Sequence, residues 1–311
     1  MNASADQLTQ LGKIAVLYGG SSAEREISLL TGNAVADAIE RQGLPCVRID
    51  TAQGLVDALQ LEKPGAAFIA LHGPGGEDGS VQGLLQYMGI GYTGSGVLGS
   101  ALALNKQVSK QVWRGCDIAT ADWSQLNSDT DFNAAISALG GSAMVKPVNE
   151  GSSIGMARAD SGDALRQAWQ DALQYDQEVI AEAWIDGPEF TVPLLAGKAL
   201  PVVQMVSSDT FYTYEAKYHS DETRYLCPAP IEADLAEQMQ VLALQAFQSL
   251  HCSGWGRVDL MLHPTNGPLV LEANTVPGMT SHSLVPMSAA QAGLDFDQLV
   301  LRILQTIEVD R

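Results

Sequence analysis

Residues 254–283, GWGRVDLMLHPTNGPLVLEANTVPGMTSHS, constrain the fold more than any other stretch of the chain. Pro264-Thr265-Asn266-Gly267 is a run of turn formers between two apolar-rich segments, so the sequence predicts two antiparallel strands joined by a four-residue loop. If His263 and Pro268 close that loop, Asp259 faces Glu272 and Arg257 faces Asn274. Side chains alternate along a strand, which puts these four on one face and Val258, Leu260, Leu262, Leu269, Leu271 and Ala273 on the other. The apolar face suits a core. On the polar face, two opposed carboxylates repel unless a proton, a cation or a counter-charge lies between them. With Asn274 they make an all-oxygen set suited to hard Mg2+, and Arg257 is placed to face a substrate anion. The alternative is a solvated strand face carrying an Asp/Arg pair. Beyond Asn274, Pro277 and Gly278 end the strand and leave backbone N–H groups beside the acidic face, a turn able to hold a carboxylate or an oxyanion.

Earlier in the chain, Lys13-Ile14-Ala15-Val16-Leu17-Tyr18 reads as a buried strand running into Gly19-Gly20-Ser21-Ser22, with Ser21 or Ser22 able to cap the helix that follows. This corner does not match G-x-G-x-x-G, and Glu24 and Glu26 stand where a pyrophosphate would approach. Those acids suit an amine, or simply the helix dipole. Residues 66–71 form a second apolar strand followed by His72-Gly73-Pro74-Gly75-Gly76-Glu77-Asp78-Gly79. Strand ends of an open parallel sheet converge on one edge, so His72 and Glu24 are expected to share a crevice, although a lone histidine there also reads as structural. The repeated strand, Gly-rich loop and helix make residues 1–95 a doubly wound α/β domain.

Residues 98–113 are expected to be helical, with Lys106 and Lys110 one turn apart as a solvated surface pair. A strand over 141–148 carries Lys146, an otherwise costly charge in the apolar run Ala143-Met144-Val145. Glu150-Gly151-Ser152-Ser153-Ile154-Gly155-Met156 follows, a loop whose N–H groups could close over phosphates. A lysine in a strand beside a Gly/Ser loop signals a phosphate site, or else a hairpin with a snorkelling lysine. No Walker A motif is present, so a nucleotide site would not be a P-loop. Residues 205–228 are polar and rich in tyrosine, with Lys217 and Tyr218 near the centre, and so long a segment without periodicity reads as a lid or binding loop. Residues 235–250 and 297–307 are amphipathic helices, the second with Leu299, Ile303 and Leu304 on one side.

Composition narrows the partners. A formal net charge of −19 disfavours nucleic acid and anionic membranes, so any phosphate ligand must be held by local lysines. Cys46, Cys116, Cys227 and Cys252 are widely spaced and read as reduced, mostly buried thiols. With no signal pattern and no apolar run approaching the roughly 18 residues of a membrane helix, a cytoplasmic location is the expectation.

The stretch EANTVPGMTSHSLVP (residues 272–286) resembles the D-alanine:D-alanine ligase family, a group of ATP-grasp enzymes. The likeness runs from Lys13 to Ile307, with motifs in the expected order. It implies an α/β and α+β architecture: the N-terminal substrate-binding domain, a central ATP-grasp lobe over residues 96–187, and a C-terminal lobe over 188–311 with the lid and metal site. The resemblance also implies roles. Glu24 would contact the ammonium of the first D-alanine, with His72 near the same subsite. Lys106, Lys146 and Lys217 would meet the ATP phosphates. Glu182, Ala183, Trp184 and Ile185 would flank adenine, and Glu189 the ribose. Glu24, Ser152 and Tyr218 would form a hydrogen-bonded set joining three domains, and Ser283 and the Leu284 N–H would hold the second substrate's carboxylate.

Two Mg2+ ions, for which Mn2+ could substitute, would be bridged by Glu272 and completed by Asp259 and Asn274. Arg257 and the Gly278 N–H are the candidate oxyanion stabilisers. Glu215-Ala216-Lys217-Tyr218 resembles family members that use D-alanine as the second substrate. A homodimer is expected by the same likeness. Departures are Pro74, Asn105, Asn149 and Val276, none of them a metal ligand or proposed catalytic group. The competing readings are another ATP-dependent carboxylate–amine ligase of the same fold and a non-catalytic nucleotide- or amino-acid-binding protein.

Overall fold

The computed structural model describes residues 8–206 and 224–307. β1 (Ile14–Tyr18), β2 (Cys46–Asp50), β3 (Ala66–Ile69) and β4 (Gly91–Tyr92) form a parallel sheet in the order β2-β1-β3-β4. The crossovers are α1 (Arg25–Arg41), α2 (Leu55–Glu62) and α3 (Ser80–Tyr87). Ile14 to Leu17 are wholly buried, as expected of an apolar run in a parallel strand. The chain leaves β1 for β2 on one side and returns to β3 on the other, so the ends of β1 and β3 make a switch point, where Gly19-Gly20 and His72 lie. Ser22 does not cap α1 as expected. Glu24 holds the N-cap position, and the Ser22 hydroxyl instead donates to the His72 carbonyl at 2.7 Å and ties the two loops.

The helix expected over 98–113 is two helices, α4 (Val97–Leu104) and α5 (Lys106–Gly115). Asn105 breaks them: its backbone is extended, its side-chain oxygen accepts from the Val108 N–H at 2.9 Å, and the Lys106 N–H bonds the Val148 carbonyl instead. An asparagine serves this cap as well as an aspartate. β5 (Trp123–Leu126), β6 (Ala143–Pro147), β7 (Ala157–Ala159) and β8 (Val179–Ala183) form an antiparallel sheet in the order β5-β8-β6-β7. Its core face meets α6 (Phe132–Ala138) and α7 (Gly162–Ala172) through Ala143, Val145, Val179 and Ala181. Alternation then turns Met144, Lys146 and Glu182 the other way.

The third sheet contains β9 (Glu189–Leu195), β10 (Lys198–Ala199), β11 (Val203–Val206), β12 (Arg224–Leu226), β13 (Trp255–His263) and β14 (Gly267–Asn274). Its order is β12-β11-β9-β13-β14, with β10 on β9, and it packs on α8 (Ala233–Ser249). After β14 come α9 (Leu284–Gln291) and α10 (Phe296–Leu304). α10 begins with a capping box between Asp295 and Gln298 and returns to the first core, where Leu299, Ile303 and Leu304 are fully buried. Trp255, at the start of β13, packs on Phe68 of β3 with ring centroids 5.9 Å apart, which fixes the hairpin against the parallel sheet.

The hairpin departs from its predicted geometry in two places. His263 pairs with Gly267, so the loop has three residues, and the register shifts by one between Asp259 and Leu260. Leu271 is the extra residue. Below the bulge β14 presents its opposite alternation: Val270 enters the core beside Val258 and Leu260, whereas Leu269 and Leu271, expected there, pack with Ile185, Ala121 and Met261 on the cleft side. Of the cysteines only Cys252 is buried; Cys116 is exposed and the other two are intermediate, so the expectation of mostly buried thiols does not hold. No helix among the described residues is long and apolar enough to cross a membrane.

Candidate active site

Two cavities meet where the three sheets converge. The larger, about 780 Å³, is lined by Glu24, His72, Ser152, Arg257, Asp259, Glu272, Asn274, Gly278, Ser283 and Leu284. The smaller, about 430 Å³, is lined by Lys146, Glu182, Ala183, Trp184 and Ile185. Lys106, Glu189 and Glu272 border both. Every predicted site residue that the structure describes therefore faces one continuous cleft. Lys217 and Tyr218 lie outside the described residues.

β13 and β14 bring the polar face together as the sequence predicts, with Arg257 opposite Asn274 and Asp259 opposite Glu272. The opposed carboxylates have counter-charges. Arg257 donates from Nε and a terminal nitrogen to Asp259 at 3.1 Å, and the Thr191 hydroxyl donates to the same carboxylate at 2.6 Å. Lys106 Nζ lies 3.8 Å from Glu272 and donates to the Glu150 carbonyl at 2.5 Å. Arg257 thus holds an acid of its own strand while lining the larger cavity, the side on which the sequence reading places a substrate anion. Among the described residues no three acidic, histidine or cysteine side chains form a self-sufficient metal site. The set on offer is two carboxylates and one amide on a single cavity wall, which fits Mg2+ completing its shell with phosphate oxygens and water.

The parallel sheet supplies the opposite wall. Glu24 is buried and accepts a hydrogen bond from the Ser152 hydroxyl, joining the first β-turn to the Gly/Ser loop. Gly151 permits this approach, because a Cβ there would stand 3.0 Å from the Glu24 carboxylate. His72 Nδ1 donates to the Val276 carbonyl at 2.8 Å. That leaves Nε2 to accept from the Thr31 hydroxyl at 3.1 Å, and Thr31 in turn accepts from the Met279 N–H. Burial lowers the His72 pKa, so the ring is neutral.

Glu77 was missed as a site residue. Its carboxylate accepts from the Gly73 N–H at 2.8 Å and the Val276 N–H at 3.1 Å, and burial, then the Glu24 charge, pushes its pKa up to about 8. Its signal was present in the sequence, as an acid inside the glycine-rich loop after β3. Gly278 and Ser283 are in close contact, since a Cβ on Gly278 would lie 2.9 Å from the Ser283 hydroxyl, which itself accepts from the Thr280 N–H. Ser283 occupies the N-cap of α9 without capping it, leaving that helix start turned to the cavity.

In the smaller cavity, Lys146 Nζ lies 2.7 Å from Glu182, and Lys110 lies 3.4 Å from the other Glu182 oxygen. The expected solvated pair of Lys106 and Lys110 does not exist, because Lys110 is fully buried and Lys106 nearly so. The break at Asn105 turns this face of α5 inward to the acids of the cleft. Arg158 stacks over Trp184 at 4.4 Å.

A cleft between two α+β lobes, with buried lysines at one end and an acid pair with an amide at the other, defines an ATP-grasp ligase fold. The D-ala D-ala ligase C-terminus family matches residues 112–305, and the D-ala D-ala ligase N-terminus family matches residues 49–95. The D-alanine--D-alanine ligase of Nitrosococcus oceani is 50% identical over 293 residues, covering 94% of this chain and 93% of that protein. That of Ectopseudomonas mendocina is 49% identical, covering 94% of each. The solved structure of the Bacillus anthracis D-alanine--D-alanine ligase complexed with ATP superposes with a TM-score of 0.84 at 32% identity, covering 95% of this chain and 97% of that one. The chain belongs to the D-alanine:D-alanine ligase family.

Proposed function

We propose that the protein joins two D-alanine molecules into D-alanyl-D-alanine, a peptidoglycan precursor, with cleavage of one ATP to ADP and phosphate. One observation carries the reading. The strand pair puts Asp259, Glu272, Asn274 and Arg257 on the wall of a cleft that continues into the cavity of about 430 Å³ bordered by Lys106 and Lys146.

A carboxylate resists amine attack because oxide would have to leave, so it is activated first as an acyl phosphate. Glu24 holds the ammonium of the first D-alanine, and the carboxylate oxygen attacks the γ-phosphorus as the bond to ADP breaks. Lys106 and Lys146 neutralise the phosphates, adenine lies along Glu182 to Ile185, and Glu189 meets the ribose. Asp259, Glu272 and Asn274 hold two Mg2+ ions, or Mn2+ in their place; when bound, these supply the remaining charge neutralisation. Ser283 and the Leu284 N–H fix the second carboxylate. Its amine attacks the acyl carbon and loses a proton, and the C–O bond to phosphate breaks. Arg257 and the Gly278 N–H stabilise the tetrahedral oxyanion, each such donor contributing about 2.7–4 kcal/mol. His72 and Glu77 shape the turn that presents Gly278.

Three units follow from the same reading: 1–95, 96–187 and 188–311, each containing one sheet. A homodimer in the cytoplasm, where ATP is supplied, completes it. Product mass spectrometry with ATP, Mg2+ and D-alanine should give the D-alanyl-D-alanine mass, and Glu272→Gln should abolish D-alanine-dependent phosphate release while nucleotide still binds. Unchanged turnover in that variant would remove the metal assignment.

A further inference from the structure

Lys110 borders neither cavity, yet it is among the most deeply buried charged groups of the described residues. Its ammonium donates to the Thr120 hydroxyl at 2.7 Å and the Ala121 carbonyl at 3.3 Å, and it forms an ion pair at 3.4 Å with a Glu182 oxygen that accepts no hydrogen bond. Thr120 passes the contact on, donating its own proton to the Val270 carbonyl of β14 at 2.7 Å. Lys110 is therefore held from behind and touches the cleft only through the Glu182 carboxylate, whose other oxygen meets Lys146.

We propose that Lys110 is a positioning residue for the nucleotide phosphates: by sharing the charge of Glu182 it keeps Lys146 available to the cleft. The inference rests on the ATP-dependent reading above. With Glu182 and Lys146 alone, the two would form a neutral pair at 2.7 Å, and an incoming phosphate would compete with a buried carboxylate for the ammonium. With Lys110 present, Glu182 answers two ammonium groups, so its hold on Lys146, the only lysine of the two that lines the cleft, is divided and a phosphate competes for that ammonium on better terms.

The protonation states agree. Burial lowers Lys110, to about 8, which leaves it mostly charged at neutral pH. Burial also pulls Lys146 down, but the Glu182 and Glu272 carboxylates outweigh it and leave its pKa raised. Glu182 is pushed up by burial and brought lower overall by the two ammonium groups, so it stays ionised.

The test separates a positioning role from a general packing role. ADP carries the phosphates that Lys146 would meet and adenosine does not. In Lys110→Met, ADP affinity measured by titration calorimetry should fall about tenfold, with adenosine affinity, measured by competition, changed less than twofold. KM for ATP should rise while KM for D-alanine holds. In a Glu182→Gln background, Lys110→Met should leave ADP affinity unchanged, because no carboxylate remains to compete with phosphate for Lys146. Equal weakening of ADP and adenosine, additive effects in the double variant, or unchanged ADP affinity would each overturn the proposal. If Lys110→Met does not fold, Thr120→Val, which loosens the anchor of Lys110, should show the same preference for ADP loss, and equal losses there would overturn it. Failure of the wild-type protein to bind ADP at all would instead refute the underlying nucleotide reading.

Discussion

Replacing Glu182 by glutamine should destabilise the protein in a way that depends on pH. Glu182 lies 2.7 Å from one buried ammonium and 3.4 Å from another. At an effective dielectric constant near 20 these attractions amount to roughly 6 and 5 kcal/mol. The variant does not lose the sum, because Lys110 has an easier course. Its pKa is already lowered to about 8 by burial, and without Glu182 it falls further, so the ammonium sheds its proton. At pH 7 that release costs about 1.4 kcal/mol, one pH unit below the folded pKa. Lys146 keeps its charge and loses its closest partner, which brings the expected total to about 3–5 kcal/mol at pH 7.

The sign of the pH effect follows from proton counts. The unfolded chain keeps the Lys110 proton in both proteins, whereas folded wild type holds it up to about 8 and the folded variant releases it earlier. Between neutral pH and about 8 the folded variant binds fewer protons, so its stability gains on the wild type by about 1.4 kcal/mol per pH unit. Glu77 titrates in both proteins and cancels. Guanidinium unfolding followed by tryptophan fluorescence, with Trp123 and Trp184 reporting on this lobe, should show the gap narrow by about 2 kcal/mol from pH 6.5 to 8.5. A gap under about 1 kcal/mol, or one constant over that range, would refute the account of Glu182 as the shared partner of two charged lysines.

Other consequences can be checked separately. Ser152→Ala removes the hydroxyl that donates to buried Glu24 and should lower kcat/KM for D-alanine at least about tenfold with KM for ATP nearly unchanged; equal effects on both substrates would contradict the assignment of Glu24 to the amino-acid end. Gly278→Ala sets a Cβ 2.9 Å from the Ser283 hydroxyl, so KM for the second D-alanine should rise more than about fivefold while thermal stability moves little; a normal KM would separate Ser283 from substrate. His72 should be a neutral Nδ1–H ring at pH 7, visible in its imidazole 15N shifts, because burial lowers its pKa and Val276 fixes the tautomer. An imidazolium signal at that pH would overturn the inferred Thr31 and Val276 bonding pattern.

Most of the elements were legible because their signals are local. The apolar run Ile14 to Leu17, the Gly-Gly turn and the amphipathic C-terminal helix each state their structure within a few residues. The burial of Lys110 was not legible. A lysine one turn from another lysine reads as surface, and only the break at Asn105 and the distant acid on β8 turn it inward. Glu77 shows only as an acid inside a glycine-rich loop; its role depends on donors the sequence does not bring together, the N–H groups of Gly73 and, almost two hundred residues on, Val276.

The hairpin gives the most instructive case, because two errors cancel at the site. The sequence reading takes Gly267 as loop and pairs His263 with Pro268, one step away from the observed pairing of His263 with Gly267. Carried along a regular ladder, the observed closure would face Asp259 with Leu271 and turn Glu272 to the core, since a slip of one residue reverses every side chain. The bulge at Leu271 absorbs that residue and restores Glu272 opposite Asp259. It does more than repair the register. Because two residues of β14 now oppose one of β13, both Leu271 and Glu272 face the cleft, and the same backbone irregularity supplies an apolar side chain to the smaller cavity and a carboxylate to the acid cluster. Regular alternation cannot place a leucine and its neighbouring glutamate on one face, so a strand that must serve both ends of a nucleotide has a physical reason to be irregular where it crosses from one to the other.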